Sequence, residues 1–322
     1  MNRTVLICLA IWLGCVSAAV ADFTYTNRWG SYGADNGEFN SPSGVAYAPE
    51  GTVYVADTNN HRIQYFTATG SYLGKFGEYG SDSGKFKYPI AVAIGPNNFI
   101  YVVDRSNDRV QYFTATGSFL GKWGTRGSNN GEFNSPWGVA VTPTGLVYVA
   151  DAGNDRIQYF TSSGSSLGKW GTPGTGNGQF REPRGIAYAP NGSVFVTDFG
   201  NNRVESFSWT GSFQAQWGSL GSGAGQFESP SGVAASNDGY IYVVDTNNDR
   251  MQYFLPAGSF LGSWGSTGSG GGYFDTPLAA AVSYTRTRVY VADARNNRIQ
   301  YFTRNEIGIE PASLGRIKTL FK

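Results

Sequence analysis

The sequence predicts an all-β fold in which one four-stranded antiparallel unit occurs six times. Composition supports this fold, because the 322 residues include 45 Gly together with 21 Phe, 20 Tyr and 8 Trp, so that many tight turns coexist with a large aromatic core. A second observation is an internal period of 47 or 48 residues, which sets the spacing of six aspartates and of the arginines five positions after them. These pairs are Asp57 with Arg62, Asp104 with Arg109, Asp151 with Arg156, Asp198 with Arg203, Asp245 with Arg250 and Asp293 with Arg298.

Each unit contains four strand-like runs, which the third unit shows most clearly. Its runs cover residues 138–141, 147–150, 156–160 and 166–170, and short turn-forming segments separate them. The runs are apolar on both faces, as expected for sheets that pack between two neighbours. Six such sheets around one axis form a β-propeller, which we prefer to an open solenoid because the ends of the array can close.

The chain ends predict how the ring closes. Residues 23–30 match the outermost strand of a unit and end in the same aromatic-glycine pair, Trp29-Gly30, that recurs in later units. The last unit shows only three strands and loses the pattern after Phe302. We therefore predict that residues 23–30 supply the fourth strand of the sixth blade, which removes two exposed sheet edges.

The repeated segment resembles a known family. Asp57-Thr-Asn-Asn-His-Arg-Ile63 and its five counterparts, with the Gly-Val-Ala and Val-Tyr-Val-Ala runs before them, are similar to NHL repeats over residues 23–302. The resemblance implies a six-bladed propeller. It does not decide function, because propellers of this family include enzymes, RNA-binding modules, sensor ectodomains and interaction scaffolds.

The two ends of the chain, which lie outside the repeats, give separate predictions. A charge at Arg3, an apolar run over residues 5–16 and a small-residue site at 19–21 are typical of a signal peptide over residues 1–21, which predicts a secreted or periplasmic protein. Cleavage, an uncleaved anchor and lipidation stay open. We expect no membrane span in the mature chain, and no disulfide, because Cys8 and Cys15 both lie in this leader. Residues 22–302 form the predicted propeller and 303–322 a tail that is either a docking segment or a frayed end.

Charge and histidine content argue against several function classes. Of 24 basic residues the leader contains one, Arg3, which leaves 23 basic against 23 acidic residues and argues against nucleic acid as a partner. His61 is the single histidine, so a zinc site of several imidazoles cannot form, and the lyase activity known in some NHL proteins is in doubt. The Asp151 and Asp245 loops lack the later part of a calcium loop. We predict no metal and no cofactor.

The recurring aspartates and arginines are predicted to be structural. A residue present in all six units serves a need common to all six, and an aspartate at a strand end can accept hydrogen bonds from turn amides and from an arginine. If the partners are buried, removal of Asp151 should cost roughly 3–5 kcal/mol, because it leaves a buried charge unpaired.

Positions that vary between units are the better candidates for binding. Such positions gather cationic and aromatic residues on the second to fourth blades: Lys87, Tyr88, Arg105, Arg126, Trp137, Arg181, Arg184 and Phe199. All of them except Arg126 lie within two residues of a recurring proline or aspartate. Aromatic faces and guanidinium groups suit a glycan or an anionic polymer. We predict a binding or protein-interaction scaffold with a protein or glycan partner and no catalytic residues. The alternative is an enzyme of the lactonase or lyase class with a central metal site.

Overall fold

The structure, a computed structural model, describes residues 22–305. The predicted leader and residues 306–322 of the tail lie outside the described residues. The described part contains 24 strands in six four-stranded sheets, and every strand pairing is antiparallel. Within it no helix has the length and apolar character needed to cross a membrane. The prediction of an all-β, six-bladed propeller is confirmed.

The first strand, β1 (Asp22–Trp29), belongs to the last blade, and blades 1 to 5 are built from strands consecutive in sequence. Blade 1 comprises β2 (Pro42–Tyr47), β3 (Val53–Asp57), β4 (Arg62–Phe66) and β5 (Tyr72–Phe76). Blade 2 comprises β6 (Pro89–Ile94), β7 (Ile100–Asp104), β8 (Arg109–Phe113) and β9 (Phe119–Trp123). Blade 3 comprises β10 (Val139–Val141), β11 (Val147–Asp151), β12 (Arg156–Phe160) and β13 (Ser166–Trp170). Blade 4 comprises β14 (Pro183–Tyr188), β15 (Val194–Asp198), β16 (Arg203–Phe207) and β17 (Phe213–Trp217). Blade 5 comprises β18 (Pro230–Ala235), β19 (Ile241–Asp245), β20 (Arg250–Phe254) and β21 (Phe260–Trp264).

Blade 6 joins the two ends of the described chain. It contains β22 (Pro277–Val282), β23 (Arg288–Asp293) and β24 (Arg298–Asn305), and its fourth strand is β1. Strand β1 runs antiparallel to β24, from the pair Asp22 and Asn305 to the pair Trp29 and Ile299. The predicted closure is therefore confirmed. Strand β24 continues three residues beyond Phe302, where the repeat pattern ends, because β1 provides a partner for this extension.

Short turns after the second strands link neighbouring blades. In blades 1 to 5 the turn is one turn of 3-10 helix, at Thr58–Asn60, Arg105–Asn107, Ala152–Asn154, Phe199–Asn201 and Thr246–Asn248; another such turn, Pro96–Asn98, precedes β7. The residue after each of the five turns in blades 1 to 5 has a left-handed backbone conformation. Its side chain accepts a hydrogen bond from a main-chain N–H of the next blade. In blade 6 the equivalent Asn297 accepts from Ser41 of blade 1 at 2.9 Å, which closes this set of contacts around the ring.

The core consists of apolar clusters between adjacent blades. One cluster, for example, combines Phe39, Val55 and Phe66 of blade 1 with Tyr290 and Ile299 of blade 6. The innermost strands approach one another so closely that a Cβ atom at Gly138 would lie 2.1 Å from the Arg184 carbonyl oxygen. These six strands surround a central cavity of about 390 Å³.

Candidate functional site at the channel mouth

The central channel has a variable ring of residues at one end. The residue after each recurring proline lies at the start of the innermost strand or, in blade 3, just before it. The residue after each recurring aspartate contacts it in several blades. We call these twelve residues the channel mouth: Ser43, Ile90, Trp137, Arg184, Ser231, Leu278, Thr58, Arg105, Ala152, Phe199, Thr246 and Ala294. Their variation distinguishes the blades at this end of the innermost strands.

In blades 1 and 5 the channel mouth is occupied by hydroxyl pairs. Ser43 is hydrogen-bonded to Thr58, whose hydroxyl donates to the Pro89 carbonyl oxygen at 2.7 Å. Ser231 and Thr246 form the same arrangement, and Thr246 donates to the Pro277 carbonyl oxygen at 2.9 Å. The hydroxyl groups thus bond to each other and to the next blade, and these pairs have a structural role.

In blades 2 to 4 the channel mouth carries a stack of cations and aromatic rings. The Arg105 Cζ lies 4.6 Å from the centre of the Trp137 ring. The Arg184 Cζ lies 3.9 Å from the same ring and 3.2 Å from the Phe199 ring. Both guanidinium groups therefore make cation–π contacts. We call Arg105, Trp137, Arg184 and Phe199 the arginine–aromatic cluster.

The two arginines of the cluster have few hydrogen-bond acceptors. Among the described residues, Nε of Arg105 and Nε of Arg184 are buried without a partner. Arg184 has one side-chain acceptor, a Glu182 oxygen 3.4 Å from Nη2, and Glu182 itself is 57% exposed. Burial lowers the pKa of Arg184 to about 10, and burial also lowers the pKa of Arg105.

The arginines of the six recurring pairs, in contrast, have hydrogen-bond acceptors. Arg156 donates to Asp151 at 2.7 Å and to the carbonyl oxygens of Ser128, Asn129 and Glu132 at 2.5–2.9 Å. All six recurring pairs have the same contact, with Nε to carboxylate distances of 2.6–2.8 Å and aspartate side chains that are not exposed. Their energetic contribution stays a prediction. The comparison shows that the cluster arginines keep donors that no acceptor among the described residues uses.

The other four predicted binding residues lie outside the arginine–aromatic cluster. Lys87 and Tyr88 pack near the first blade, where the Lys87 Nζ is 5.8 Å from the Tyr79 ring centre and the Tyr88 ring is 4.7 Å from His61. Arg126 and Arg181 are exposed, and in the part of the chain that the structure describes neither forms an ion pair. The structure thus brings together four of the eight predicted residues. The binding role of all eight stays a prediction.

The single histidine has a structural contact that sequence reasoning missed. Its position varies between units, yet the six side chains there share the inter-blade hydrogen bond described above. His61 Nδ1 accepts from the Tyr88 main-chain N–H at 3.1 Å, which requires an unprotonated Nδ1. Burial lowers the pKa of His61 and favours this neutral form.

Glu205 is a second residue that sequence reasoning missed. Five blades have glutamine at this position: Gln64, Gln111, Gln158, Gln252 and Gln300. In each, the side-chain oxygen accepts from a glycine N–H, and the side-chain nitrogen donates to the recurring aspartate, as Gln158 does to Asp151 at 3.0 Å. Glu205 Oε1 likewise accepts from Gly178 at 3.2 Å, but Oε2 is buried without a partner among the described residues. Burial raises the pKa of Glu205 to about 7, although Arg203 opposes this shift.

Candidate metal ligands are not clustered. Within residues 22–305 no group of three or more His, Cys, Asp or Glu side chains is arranged to hold a metal ion. The Asp151 carboxylate, in one of the two loops that begin like a calcium loop, accepts hydrogen bonds from the Asn134 main chain and from the Asn154, Arg156 and Gln158 side chains.

Comparison with known sequences identifies the repeat. The sequence model of the NHL repeat matches residues 39–66, 133–160, 180–207 and 227–254, which lie in blades 1, 3, 4 and 5. A 46-residue segment is 50% identical to part of the B-box type zinc finger protein ncl-1 of Caenorhabditis elegans. This match covers 14% of the chain and 5% of that protein, so the similarity concerns a single repeat of a much longer relative.

Solved structures share the architecture at low sequence identity. A streptogramin B lyase has a TM-score of 0.61 and 14% identity, over 88% of this chain and 97% of that chain. A gluconolactonase from Xanthomonas campestris has a TM-score of 0.64 and 13% identity, also over 88% of this chain and 97% of that chain. At these identities the likeness concerns the fold alone. The chain thus contains NHL repeats in four of its blades and folds as a six-bladed β-propeller.

Proposed function

We propose that this propeller is a non-enzymatic binding module whose ligand is anionic and binds at the channel mouth. Acidic glycans and other anionic polymers are the ligand class that the arginine–aromatic cluster suits best. The observation that carries the proposal is that Arg105 and Arg184, which stack on the same Trp137 ring, each bury an Nε that has no acceptor among the described residues.

The energetics of the cluster support an anion in particular. Burial of a cation without acceptors costs free energy, which an added carboxylate, sulfate or phosphate would recover through charge-assisted hydrogen bonds. Trp137 and Phe199 hold the Arg184 guanidinium between them, so part of the ordering entropy is already lost before a ligand binds. An aromatic surface beside the guanidinium also offers a face on which a sugar ring can pack.

We also propose that the protein is exported and meets its ligand outside the cytoplasm. The charge, apolar run and small-residue site of residues 1–21 support this proposal. Amino-terminal sequencing of the protein from its native source should find cleavage near residue 21, and a retained cytoplasmic chain that begins at Met1 would contradict it.

The binding proposal is tested with dextran sulfate and polygalacturonate, with neutral dextran as the uncharged reference. We expect the purified chain to bind at least one anionic polymer and not neutral dextran. The double variant Arg105→Ala/Arg184→Ala should weaken this binding about tenfold or more, because hydrogen bonds to charged groups are lost. Calorimetry or biolayer interferometry measures the affinity, and thermal melting verifies that the variant is folded.

The matched control is the double variant Arg126→Ala/Arg181→Ala, which removes the same formal charge from exposed residues outside the cluster. It should retain binding to within about threefold, since exposed charges contribute little and are screened by salt. Equal losses in both double variants would indicate diffuse charge attraction and contradict a defined site. Absence of binding to both anionic polymers in the unmodified chain would also contradict the proposal.

A further inference from the structure

The boundary between blades 1 and 2 carries a group of exposed tyrosine rings. The ring centre of His61 lies 4.9 Å from that of Tyr79 and 4.7 Å from that of Tyr88. Both tyrosines reach solvent, since Tyr79 is 63% and Tyr88 is 44% exposed. A surface tyrosine by itself needs no explanation, but two beside one imidazole form a continuous aromatic surface. We call His61, Tyr79, Lys87 and Tyr88 the tyrosine patch.

Lys87 gives the tyrosine patch a positive charge. Its Nζ lies 5.8 Å from the Tyr79 ring centre, within the range of a cation–π contact. The nearby Lys85 forms ion pairs with Glu78 and Asp82, whereas Lys87 has no ion pair in the part of the chain that the structure describes. The cation beside the exposed rings is therefore available to an acidic ligand.

The main chain joins the tyrosine patch to the arginine–aromatic cluster. The Lys87 N–H donates to Oδ1 of Asp104 at 2.7 Å, and the Ser106 N–H donates to the Lys87 carbonyl oxygen at 3.1 Å. Arg105 stands between Asp104 and Ser106 in the sequence, so its main chain lies beside that of Lys87. The Lys87 side chain contacts a ring of the patch, and the Arg105 side chain contacts a ring of the cluster. Patch and cluster are therefore adjacent, and one extended ligand can contact both.

His61 holds the tyrosine patch in place before a ligand binds. Its Nδ1 accepts a hydrogen bond from the Tyr88 main-chain N–H at 3.1 Å, and its ring packs against both tyrosine rings. A surface that is already ordered loses less conformational entropy when a ligand binds to it.

We infer that the tyrosine patch is a second subsite for the proposed ligand, where Tyr79 and Tyr88 pack against a sugar ring of an acidic oligosaccharide whose anionic groups bind the arginine–aromatic cluster. This inference rests on the proposed function and narrows its ligands to acidic glycans longer than one sugar unit. Tyrosine ring faces suit the apolar face of a sugar, and phenol hydroxyls can hydrogen-bond to sugar hydroxyls. Because one ligand makes both contacts, each contact raises the effective concentration of the ligand at the other.

The test uses a hexasaccharide fraction of dextran sulfate, or hexagalacturonate if polygalacturonate is the polymer that binds, and calorimetry measures the affinity. The double variant Tyr79→Ala/Tyr88→Ala should weaken binding about tenfold, as expected for the loss of two aromatic contacts. The double variant Tyr79→Phe/Tyr88→Phe keeps both ring faces and should stay within about threefold of the unmodified chain. Thermal melting verifies that each variant is folded. If the alanine double variant does not fold, Tyr79→Ala alone takes its place, with an expected loss of about fourfold.

The matched control is the double variant Tyr32→Ala/Tyr273→Ala. Tyr32 has the same place in its connection as Tyr79, because Tyr32 forms a bridge with Phe39 as Tyr79 does with Phe86. Tyr32 is 72% and Tyr273 is 49% exposed, so the control removes two comparably exposed rings outside the patch. It should bind the hexasaccharide as the unmodified chain does.

The outcomes separate this inference from the proposed function. Full affinity in a folded alanine variant rejects the inference, and so does an equal loss in the control. A loss in the phenylalanine variant as large as in the alanine variant also rejects it, because the ring faces would then not make the contact. Binding that depends on Arg105 and Arg184 but not on Tyr79 and Tyr88 leaves the proposed function in place without a second subsite. Absence of binding to any anionic glycan in the unmodified chain rejects both.

Discussion

At the residue scale, Arg156 and Arg184 show two different environments for an arginine side chain. Arg156 uses its donors on Asp151 and three carbonyl groups, so its charge is neutralised and its geometry is fixed. Arg184 lies between two aromatic rings with a single distant acceptor. The recurring arginine is thus fully hydrogen-bonded within its blade, whereas Arg184, with a single distant acceptor, is the arginine for which we propose a ligand.

Glu205 yields a prediction about stability and pH. Its ordinary pKa of 4.5 is raised to about 7 in the folded chain, so between these values the folded chain keeps a proton that the unfolded chain has lost. Stability therefore falls as pH rises through this window, by about 3 kcal/mol at most, and the loss is complete above pH 7. When protonated, Oε2 can donate to Asp198 as the glutamine nitrogens do in the other blades.

The substitution Glu205→Gln should therefore raise the free energy of unfolding at pH 8 and change it little at pH 4.5. Urea denaturation at the two pH values measures the difference. The reciprocal variant Gln158→Glu should introduce the same pH dependence into blade 3. An equal effect of Glu205→Gln at both pH values would show that protonation of this carboxyl group is not the cause.

At the scale of elements, β1 joins three blades. Phe23 stacks on Trp264 of blade 5 with ring centres 4.1 Å apart, while Trp29 packs against Phe66 of blade 1 at 5.7 Å. The strand also pairs with β24 of blade 6 along its length. Loss of β1 thus exposes a strand edge and opens the aromatic contacts with both neighbouring blades.

Deletion of residues 1–29 should lower the melting temperature by more than 10 °C, because the ring contacts of Phe23 and Trp29 are lost together with a strand pairing. Truncation of a large aromatic side chain costs about 3–5 kcal/mol when the side chain is fully buried. Differential scanning calorimetry measures the transition. Tyr32→Ala, which removes a 72% exposed ring just after the strand, is the control and should melt as the unmodified chain. A deletion variant with an unchanged transition would mean that the strand does not hold the ring closed.

The strands could be predicted from the sequence because the repeat unit, with each of its strands, occurs six times. In the third unit the prediction of 156–160 and 166–170 coincides with β12 and β13, and 138–141 differs from β10 by one residue. Contacts between side chains of different blades could be predicted only in part. Variation between units selected Arg105, Trp137, Arg184 and Phe199, but it selected Arg126 and Arg181 equally, because variation does not show which side chains meet across a blade boundary.

For the whole molecule, the packing of consecutive blades around one axis creates the candidate site. Arg105, Trp137 and Arg184 belong to three consecutive blades, and they meet because every blade presents the same strand end to the central axis. The same arrangement surrounds the central cavity. The candidate site thus combines two kinds of residue. The recurring residues build the blades, and the residues that vary between blades supply the arginine and aromatic side chains of the cluster.

The most direct measurement for this account is a crystal structure of the chain with a sulfated oligosaccharide prepared from dextran sulfate. The account predicts sulfate oxygen atoms within hydrogen-bond distance of the Arg105 and Arg184 guanidinium groups and a sugar ring packed beside Trp137. A sulfate group bound elsewhere on the propeller, with the arginine–aromatic cluster unoccupied, would contradict it.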